Sequence, residues 1–310
     1  MARFVLGRLL IAIPVLLGVT IVAFLIIHLI PGNPAQVMLF GSNPTPAQIH
    51  ALEVRLGLDD PLYVQYGKYI GGLLHGDLGT SFVTGRSVGS EIVARAPSTF
   101  LLSGAALLVA IVIGIPLGIA GGARPGSVWD RVGRIISVSG VAIPYFWLAL
   151  VFTLIFAVHL RLLPATGTQG FSSLIMPAVA LGWGYAAILT RLVRSRLIEE
   201  YHEEYIKTAR AKGSSDSRVL FNHALRNAII PTITMLGLQI GNILTGAAAI
   251  EVIFGRPGLG SFLVSSIAAK NIPVVQGAVL FIGVAYVVIN LVVDVIVGVI
   301  DPRTRKKVTV

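Results

Sequence analysis

The charged side chains of this sequence are concentrated in one polar stretch near its middle, residues 199–231. Carboxylates and histidines at close spacing could bind a metal ion or transfer protons. His202 and Glu203, however, lack the second histidine, four residues after the first, that a zinc-protease helix requires. The sequence also has no phosphate-binding Gly-x-x-x-x-Gly-Lys-[Ser/Thr] loop, no Gly-x-Ser-x-Gly nucleophile turn and no cysteine. We therefore predict no catalytic and no metal-binding residue, and the stretch indicates a surface for a partner protein.

The same stretch has the pattern of two helices separated by a tight turn. Residues 203–212 are good helix formers, and Gly213 follows them as a left-handed terminator. Ser214 and Ser215 can cap the next helix, and Asp216 suits the positive end of its dipole. The second helix has a face that could be presented to a partner, formed by Val219, Leu220, His223 and Asn227.

The composition is that of a membrane protein. Hydrophobic residues make up 55% of the chain and charged residues 12%, and the mean hydropathy is +0.85. A soluble domain carries about a quarter charged residues. A membrane-spanning helix needs about 20 apolar residues. Six stretches qualify, and they predict an all-α protein with six transmembrane helices: residues 9–30, 99–121, 135–158, 174–193, 229–250 and 275–300.

The distribution of positive charge predicts the orientation in the membrane. With six spans, both termini and the polar hairpin lie on one side, which holds 17 of the 24 Lys and Arg residues. Such an excess marks the cytoplasmic side. The net charge of +10 is therefore explained by topology rather than by nucleic-acid binding. A DNA-binding helix-turn-helix is rejected as well, because spans begin within a few residues of both ends of the hairpin.

The chain is divided by these spans into four parts. Residues 1–30 form a cytoplasmic tail and the first span, and residues 31–97 form a small extracytoplasmic domain. Residues 98–300 form the core with the other five spans and the cytoplasmic hairpin at 196–228. Residues 301–310 are a cytoplasmic tail.

The external domain is predicted to be helical. A capping box with proline at the first helical position starts at Thr45 and opens a helix that ends near Gly57. A second helix follows to about Leu74, and a third is expected to start at Ser87 or Ser90.

The spans contain small residues at helical spacing. Gly114 and Gly118 form one such pair, and Gly237 and Gly241 form another. Such pairs let helix backbones approach closely, either for static packing or for helices that move against each other. Three prolines can bend their spans: Pro116, Pro144 and Pro177.

Few ionisable side chains lie inside the spans. Asp294 is the clearest, with Asn290 one turn before it, and a mid-span carboxylate must face protein or water. Gln239 and Asn242 are candidates in the fifth span. All four are candidates for lining a translocation path, and hydrogen-bonded packing between helices remains the alternative.

The hairpin resembles the cytoplasmic loop of bacterial ABC importer permeases. Ala209, Gly213 and Leu225 match the general pattern of that loop, while the runs 205–213 and 223–227 look like the dipeptide/oligopeptide/nickel branch. Four further segments are similar to the B-type subunit of that branch: residues 56–82, 163–167, 251–260 and 301–305.

This resemblance implies a type I ABC importer permease in the bacterial inner membrane. A homologous second permease subunit would complete the pathway in a heterodimer, an extracytoplasmic binding protein would deliver the substrate, and two cytoplasmic ATPases would bind ATP and Mg²⁺. This chain would lie in the lipid bilayer and hold no cofactor. The resemblance also implies an ATPase-coupling set, consisting of Tyr205, Thr208, Ala209, Arg210, Ala211, Lys212, Gly213, His223, Leu225 and Asn227.

The cargo that the resemblance implies is a short peptide. A nickel chelate, glutathione or haem in the same architecture is the alternative. A stand-alone secondary carrier would require paired intramembrane charges and inverted repeats. Asp294 stands nearly alone within the spans, which disfavours the carrier.

Overall fold

The computed structural model describes residues 2–29, 35–36, 45–57 and 59–300. The predicted C-terminal tail, residues 301–310, lies outside them, as do residues 31–34, 37–44 and 58 of the predicted external domain. Apart from an isolated bridge between Thr80 and Ser87, the regular structure in the described ranges is helical. The predicted all-α fold class is confirmed.

We number the helices of the described residues in chain order. They are α1 (Ala2–Leu29), α2 (Pro46–Leu56), α3 (Leu62–Leu74), α4 (Val88–Ala123), α5 (Val128–Ala142), α6 (Tyr145–His159), α7 (Ser172–Tyr201), α8 (Glu204–Ala211), α9 (Asp216–Ile253), α10 (Leu259–Ala268) and α11 (Ile272–Ile300).

Within these ranges, five helices are long and apolar enough to cross a membrane: α1, α4, α7, α9 and α11. The predicted span at 135–158 is instead a broken pair, because α5 and α6 are bent by 106°. Pro144 precedes the first residue of α6 and stands at the break, as its predicted role in bending requires. The described residues therefore hold six spans if the broken pair counts as one.

The chain divides into two compact units. The first contains Thr99–Arg256 with residues 2–5 and 289–300, and the second contains Leu6–Ser98 with Pro257–Val288.

The predicted third external helix is not separate from the second span. Helix α4 begins at Val88 and continues through Pro97 to Ala123, so the predicted boundary at 97/98 is not a break. Its first turns are held by burial, since Val88 and Ile92 pack against Phe262 in the second unit. A proline within a long apolar helix is tolerated when tertiary packing fixes the surrounding turns.

The predicted capping box in the external domain is confirmed. Thr45 Oγ1 accepts a hydrogen bond from Gln48 N at 3.3 Å, and Gln48 Oε1 accepts one from Thr45 N at 2.9 Å. Helix α2 ends at Gly57, which has a left-handed φ of 65°. Helix α3 then runs to Leu74, as the sequence predicts.

In the second unit, α3 packs on α1. The hydroxyl groups of Tyr66 and Thr20 are 2.7 Å apart, and the rings of Tyr69 and Phe24 lie tilted against each other with their centroids 5.8 Å apart. Burial, together with the neighbouring phenol of Tyr66, raises the pKa of Tyr69 to about 12. Tyr66 and Tyr69 of α3 are therefore used for internal packing, whereas Tyr63 is exposed.

In the second unit, the loop between α3 and α4 is a tight turn that the side chain of Asn271 holds in place. Ser81 N donates to Arg86 O at 2.9 Å, which closes the loop. Asn271 is buried, donates from Nδ2 to Ser81 Oγ at 2.8 Å and accepts from Phe82 N at 3.2 Å. One side chain thus fixes the loop through two hydrogen bonds.

In the first unit, α7 is the central helix, with 67% of its most apolar window buried. The predicted close approach at Gly114 and Gly118 is confirmed, because both glycines of α4 face α7. A Cβ added at Gly118 would lie 2.6 Å from Val193 Cβ. Gly122, one turn further, continues the row, so α4 and α7 pack backbone to backbone over three turns.

The second predicted small-residue pair also lies at a helix contact. Gly237 of α9 faces α11, where an added Cβ would lie only 1.9 Å from Val293 Cγ1. Gly241 is buried on the same helix. The absence of side chains here lets α9 and α11 approach each other within the first unit.

Candidate functional site

The polar hairpin of the sequence is a compact element built by α7, α8 and α9. Its interior is a small apolar core in which each helix contributes a fully buried residue: Leu197 from α7, Ile206 from α8 and Val219 from α9. Ala224 and Ala228 complete this core. The hairpin therefore holds its shape through its own packing.

The tight turn of the hairpin follows the predicted design at Gly213. This residue has a left-handed φ of 79°, and its N–H donates to Arg210 O at 2.9 Å. The N–H of Ser214 donates to Ala209 O at 3.1 Å, so the last carbonyls of α8 are satisfied. The predicted serine cap is wrong in one respect: Ser215 occupies the N-cap position but makes no capping hydrogen bond with its side chain.

A polar clasp joins the three helices of the hairpin. The Tyr205 hydroxyl in α8 donates to the Glu200 carboxylate of α7, and Asn227 Nδ2 of α9 donates to the same hydroxyl at 2.9 Å. Burial and the hydrogen bond to Glu200 raise the pKa of Tyr205 above its ordinary value. Tyr205 and Asn227 are thus brought together, and both stabilise the hairpin.

The outer edge of the hairpin is open to solvent. Ala209, His223 and Leu225 are half-buried. The remaining predicted coupling residues are exposed along α8 and its turn: Thr208, Arg210, Ala211, Lys212 and Gly213.

Only part of the face that the sequence predicts on α9 is exposed at the surface of the hairpin. Val219 is fully buried in the hairpin core, whereas Phe221 is 57% exposed. The reason is that residues Val219–Ala224 are π-helical, so Val219 and Ala224, five residues apart, point to the same interior. An α-helical spacing misassigns side chains across such a turn. Phe221 is a large aromatic side chain in a polar stretch, and this contrast is the feature of the sequence from which its exposure could have been predicted.

A cleft of about 680 Å³ lies beside the hairpin in the first unit. One wall is the α4–α5 loop with Arg124, and the other includes His202, Arg210 and Asp216. The Arg210 guanidinium lies 5.4 Å from the centre of the Tyr201 ring, a cation–π distance that orients it at the cleft. The rim of the cleft is consequently more basic than acidic.

The predicted path residues lie in different environments. Gln239 is 3% exposed, and its carboxamide makes no hydrogen bond to any described residue. Asn242, less than one turn further along α9, is exposed. Asn290 and Asp294 of α11 are half-buried and both interact with neighbouring groups.

The long apolar helices and the broken apolar pair define a multi-pass membrane protein with a charged hairpin between two of its helices. A family model described as "binding-protein-dependent transport system inner membrane component" matches residues 114–306, and the N-terminal model of that membrane component matches residues 1–103. This chain belongs to that family. It is a permease component of a binding-protein-dependent ABC importer of the inner membrane, a class that works with ATPase and substrate-binding partners.

Curated relatives match almost the whole chain. The dipeptide transport system permease protein DppB of Alkalihalophilus pseudofirmus is 40% identical over 333 aligned positions, covering 98% of this chain and all of the relative. The glutathione transport system permease protein GsiC of Salmonella typhimurium is 41% identical over 308 positions, covering 99% and 100%. DppB of Escherichia coli is 36% identical over 338 positions, with the same coverage.

Solved structures agree on the fold. The chain is similar to one in inward-facing conformations of the MetNI methionine ABC transporter, with a TM-score of 0.57 and 18% identity. The match covers 68% of this chain and 96% of that one. The predicted permease family and fold are therefore confirmed.

Proposed function

We propose that this chain is the permease subunit of an ATP-driven importer of short peptides and forms half of the translocation path. The support for a peptide cargo is the similarity to two dipeptide permeases over nearly full length. Glutathione is the second candidate, because an equally similar relative is a glutathione permease. Glutathione is itself a tripeptide, so both candidates share backbone amides and charged ends.

The hairpin is proposed as the element that docks on the ATPases. The observation that carries this proposal is its construction: an internal core and the Glu200–Tyr205–Asn227 clasp hold it rigid, while its outer edge remains exposed. A rigid element can be moved as a whole by a partner, whereas a flexible one would absorb the movement. The exposed Arg210 and Lys212 can fix the register through charge complementarity.

The proposed assembly follows from topology and family. Two cytoplasmic ATPases bind ATP and Mg²⁺, a homologous permease completes a heterodimer, and an external binding protein delivers the peptide. The termini and the hairpin lie in the cytoplasm, supported by the placement of 17 of 24 basic residues on that side. This chain hydrolyses nothing and holds no cofactor, which its lack of a phosphate-binding loop supports.

The proposed mechanism is alternating access driven from the hairpin. ATP binding draws the ATPases together, and the hairpins follow. Because α9 is one helix from Asp216 to Ile253, the second half of the hairpin and a span move as one piece. The spans then tilt towards an outward-open state, which hydrolysis resets, so that the ATPases bias a two-state equilibrium.

Four polar side chains are proposed to line or support the path: Gln239, Asn242, Asn290 and Asp294. Gln239 supports this role most directly, since a buried carboxamide with no hydrogen bond to the described chain is costly. A path that carries water or peptide amides would supply the missing partner.

The test is uptake by the complete transporter in proteoliposomes, with labelled dipeptide and labelled glutathione in parallel. We expect uptake to require ATP, the binding protein and this chain together. Uptake of glutathione without dipeptide would select the second candidate. Steady uptake by this chain alone, without nucleotide or partners, would overturn the proposal.

A further inference from the structure

A buried carboxylate outside the hairpin ties three segments of the first unit together. Asp130 is in the first turn of α5 and is 1% exposed. Its Oδ1 accepts from Arg194 Nε of α7 at 2.5 Å, and its Oδ2 accepts from Arg194 Nη2 at 3.3 Å. The N–H of Gly126 in the α4–α5 loop donates to Oδ2 at 2.8 Å. Arg134 Nη2 lies 3.6 Å away and adds a second cation.

The arrangement is geometrically fixed. A guanidinium that engages both oxygens of a carboxylate favours one relative orientation of the two helices. Helix α4 also passes close by, since a Cβ added at Gly121 would lie 3.3 Å from Asp130. A buried ion pair is seldom the most stabilising solution, because desolvation offsets much of its attraction. Its advantage over an apolar contact is a defined geometry.

Arg194 and Asp130 belong to different parts of the first unit, namely α7 and the broken span. Arg194 is in the last turns of α7, about one turn before Leu197, which belongs to the hairpin core. Asp130 opens the first arm of the broken span, which bends by 106° near Pro144. The ion pair therefore joins the stem of the hairpin to the broken span.

The same carboxylate also sets the cleft beside the hairpin. One wall of that cleft is formed by Gly122 to Pro125, and the adjacent Gly126 is bound directly to Asp130. The opposite wall includes Ile198 and Tyr201, one to two turns beyond Arg194 on α7. Asp130 consequently holds both walls at a fixed separation.

We propose that Asp130 and Arg194 are positioning residues that make the broken span α5–α6 move with the hairpin during transport. This proposal rests on the coupling role proposed above for the hairpin. Neither residue is proposed to contact nucleotide or cargo. They act by keeping α5 and α7 a single rigid body, so that displacement of the hairpin becomes displacement of α5.

The first test compares Asp130→Asn and Arg194→Lys in the complete reconstituted transporter. Arg131→Gln is the matched control, since it removes an exposed positive charge from α5 directly beside Asp130. We expect Asp130→Asn and Arg194→Lys to assemble and to hydrolyse ATP. Each should lower the amount of solute imported per ATP by roughly twofold to thirtyfold, which is the range for mutations in coupling networks. The control should match the wild type. The proposal is overturned if the amount of solute imported per ATP is unchanged in both Asp130→Asn and Arg194→Lys.

The second test does not require a substitution of Asp130 or Arg194. Spin labels at the exposed positions Trp129 of α5 and Arg196 of α7 report their separation in nucleotide-free and ATP-bound complexes. We expect one distance in both states. A changed distance overturns the proposal even if Asp130→Asn fails to assemble. Failure of the hairpin proposal is distinguishable, because Gly213→Val in the turn of the hairpin would then import as much solute per ATP as the wild type.

Discussion

Asn227 Nδ2 donates a hydrogen bond of 2.9 Å to the hydroxyl of Tyr205, a residue 22 positions earlier in the chain. The same hydroxyl donates onward to Glu200, so three helices meet at one oxygen atom. The hairpin consequently has a fixed shape before any ATPase binds. A surface that is already ordered loses little conformational entropy on association.

Removing the Tyr205 hydroxyl tests whether the clasp orders the hairpin. We expect Tyr205→Phe to weaken the hairpin by about 1 kcal/mol, the net value of a typical hydrogen bond. Amide hydrogen exchange in α8 should become faster in the isolated subunit. Tyr63→Phe is the control, because Tyr63 is 77% exposed and far from the hairpin in sequence. Equal exchange in the two variants would show that the clasp contributes nothing.

Gly213 tests the tight turn. A valine at φ 79° costs about 1–2 kcal/mol, because the left-handed region is strained for β-branched residues. An added Cβ meets nothing within 4 Å, so the effect is conformational. We expect Gly213→Val to insert in the membrane but to uncouple ATP hydrolysis from uptake.

Gly213→Asn provides the control for that experiment, since asparagine tolerates the left-handed region. It should retain most of the uptake per ATP. Wild-type coupling in Gly213→Val would contradict the coupling role of the hairpin.

Phe221 tests the surface offered to the ATPases. Exposed aromatic residues at the centre of an interface commonly contribute about 2 kcal/mol or more. We expect Phe221→Ala to weaken ATPase binding to the membrane subunits by more than about tenfold, measured by titration in nanodiscs. Phe171→Ala removes a ring that is 80% exposed before α7 and should leave binding unchanged. Equal affinity in both variants would remove Phe221 from the interface.

Two glycines of α4 give a matched test of helix packing. At Gly118 an added Cβ would lie 2.6 Å from Val193 Cβ, whereas at Gly104 it would meet nothing within 4 Å. We expect Gly118→Ala to lower the stability by about 1–3 kcal/mol through overpacking. Gly104→Ala should be neutral or stabilising, because alanine favours helix. Thermal unfolding in detergent distinguishes them, and equal melting temperatures would refute the close approach.

Asn271 tests the clamp beneath the α3–α4 loop. Asn271→Leu removes both hydrogen bonds and leaves Ser81 buried without its donor, at a cost of about 1–3 kcal/mol. Asn271→Asp retains an acceptor for Phe82 N and can accept from the Ser81 hydroxyl. We expect limited proteolysis to cut the loop faster in Asn271→Leu than in Asn271→Asp. The same rate in both would contradict the clamp.

The features that the sequence predicts well depend on local interactions. The capping box at Thr45 and the left-handed conformation of Gly213 each follow from a few neighbouring residues. The long apolar helices likewise follow from composition over a short window. In each case the free energy that decides the conformation is contributed nearby.

The features that the sequence does not reveal depend on distant contacts or on unusual backbone. Asp130 and Arg194 are 64 residues apart, and their pairing requires the packing of α5 on α7. The π-helical turn changes which side chains face outward, so Val219 is buried and Phe221 exposed. Helix α4 continues through Pro97 because its first turns are packed against residues far along the chain.

The bend at Pro144 has a consequence for the surrounding lipid. Proline has no N–H, so the carbonyl of Gly140 loses its usual donor within the helix. That oxygen is directed at α7, where a Cβ added at Gly184 would lie 3.1 Å from it. Hydrocarbon tails cannot solvate an open carbonyl. Neighbouring protein, here α7, must therefore cover the Gly140 carbonyl and separate it from the acyl chains of the lipid.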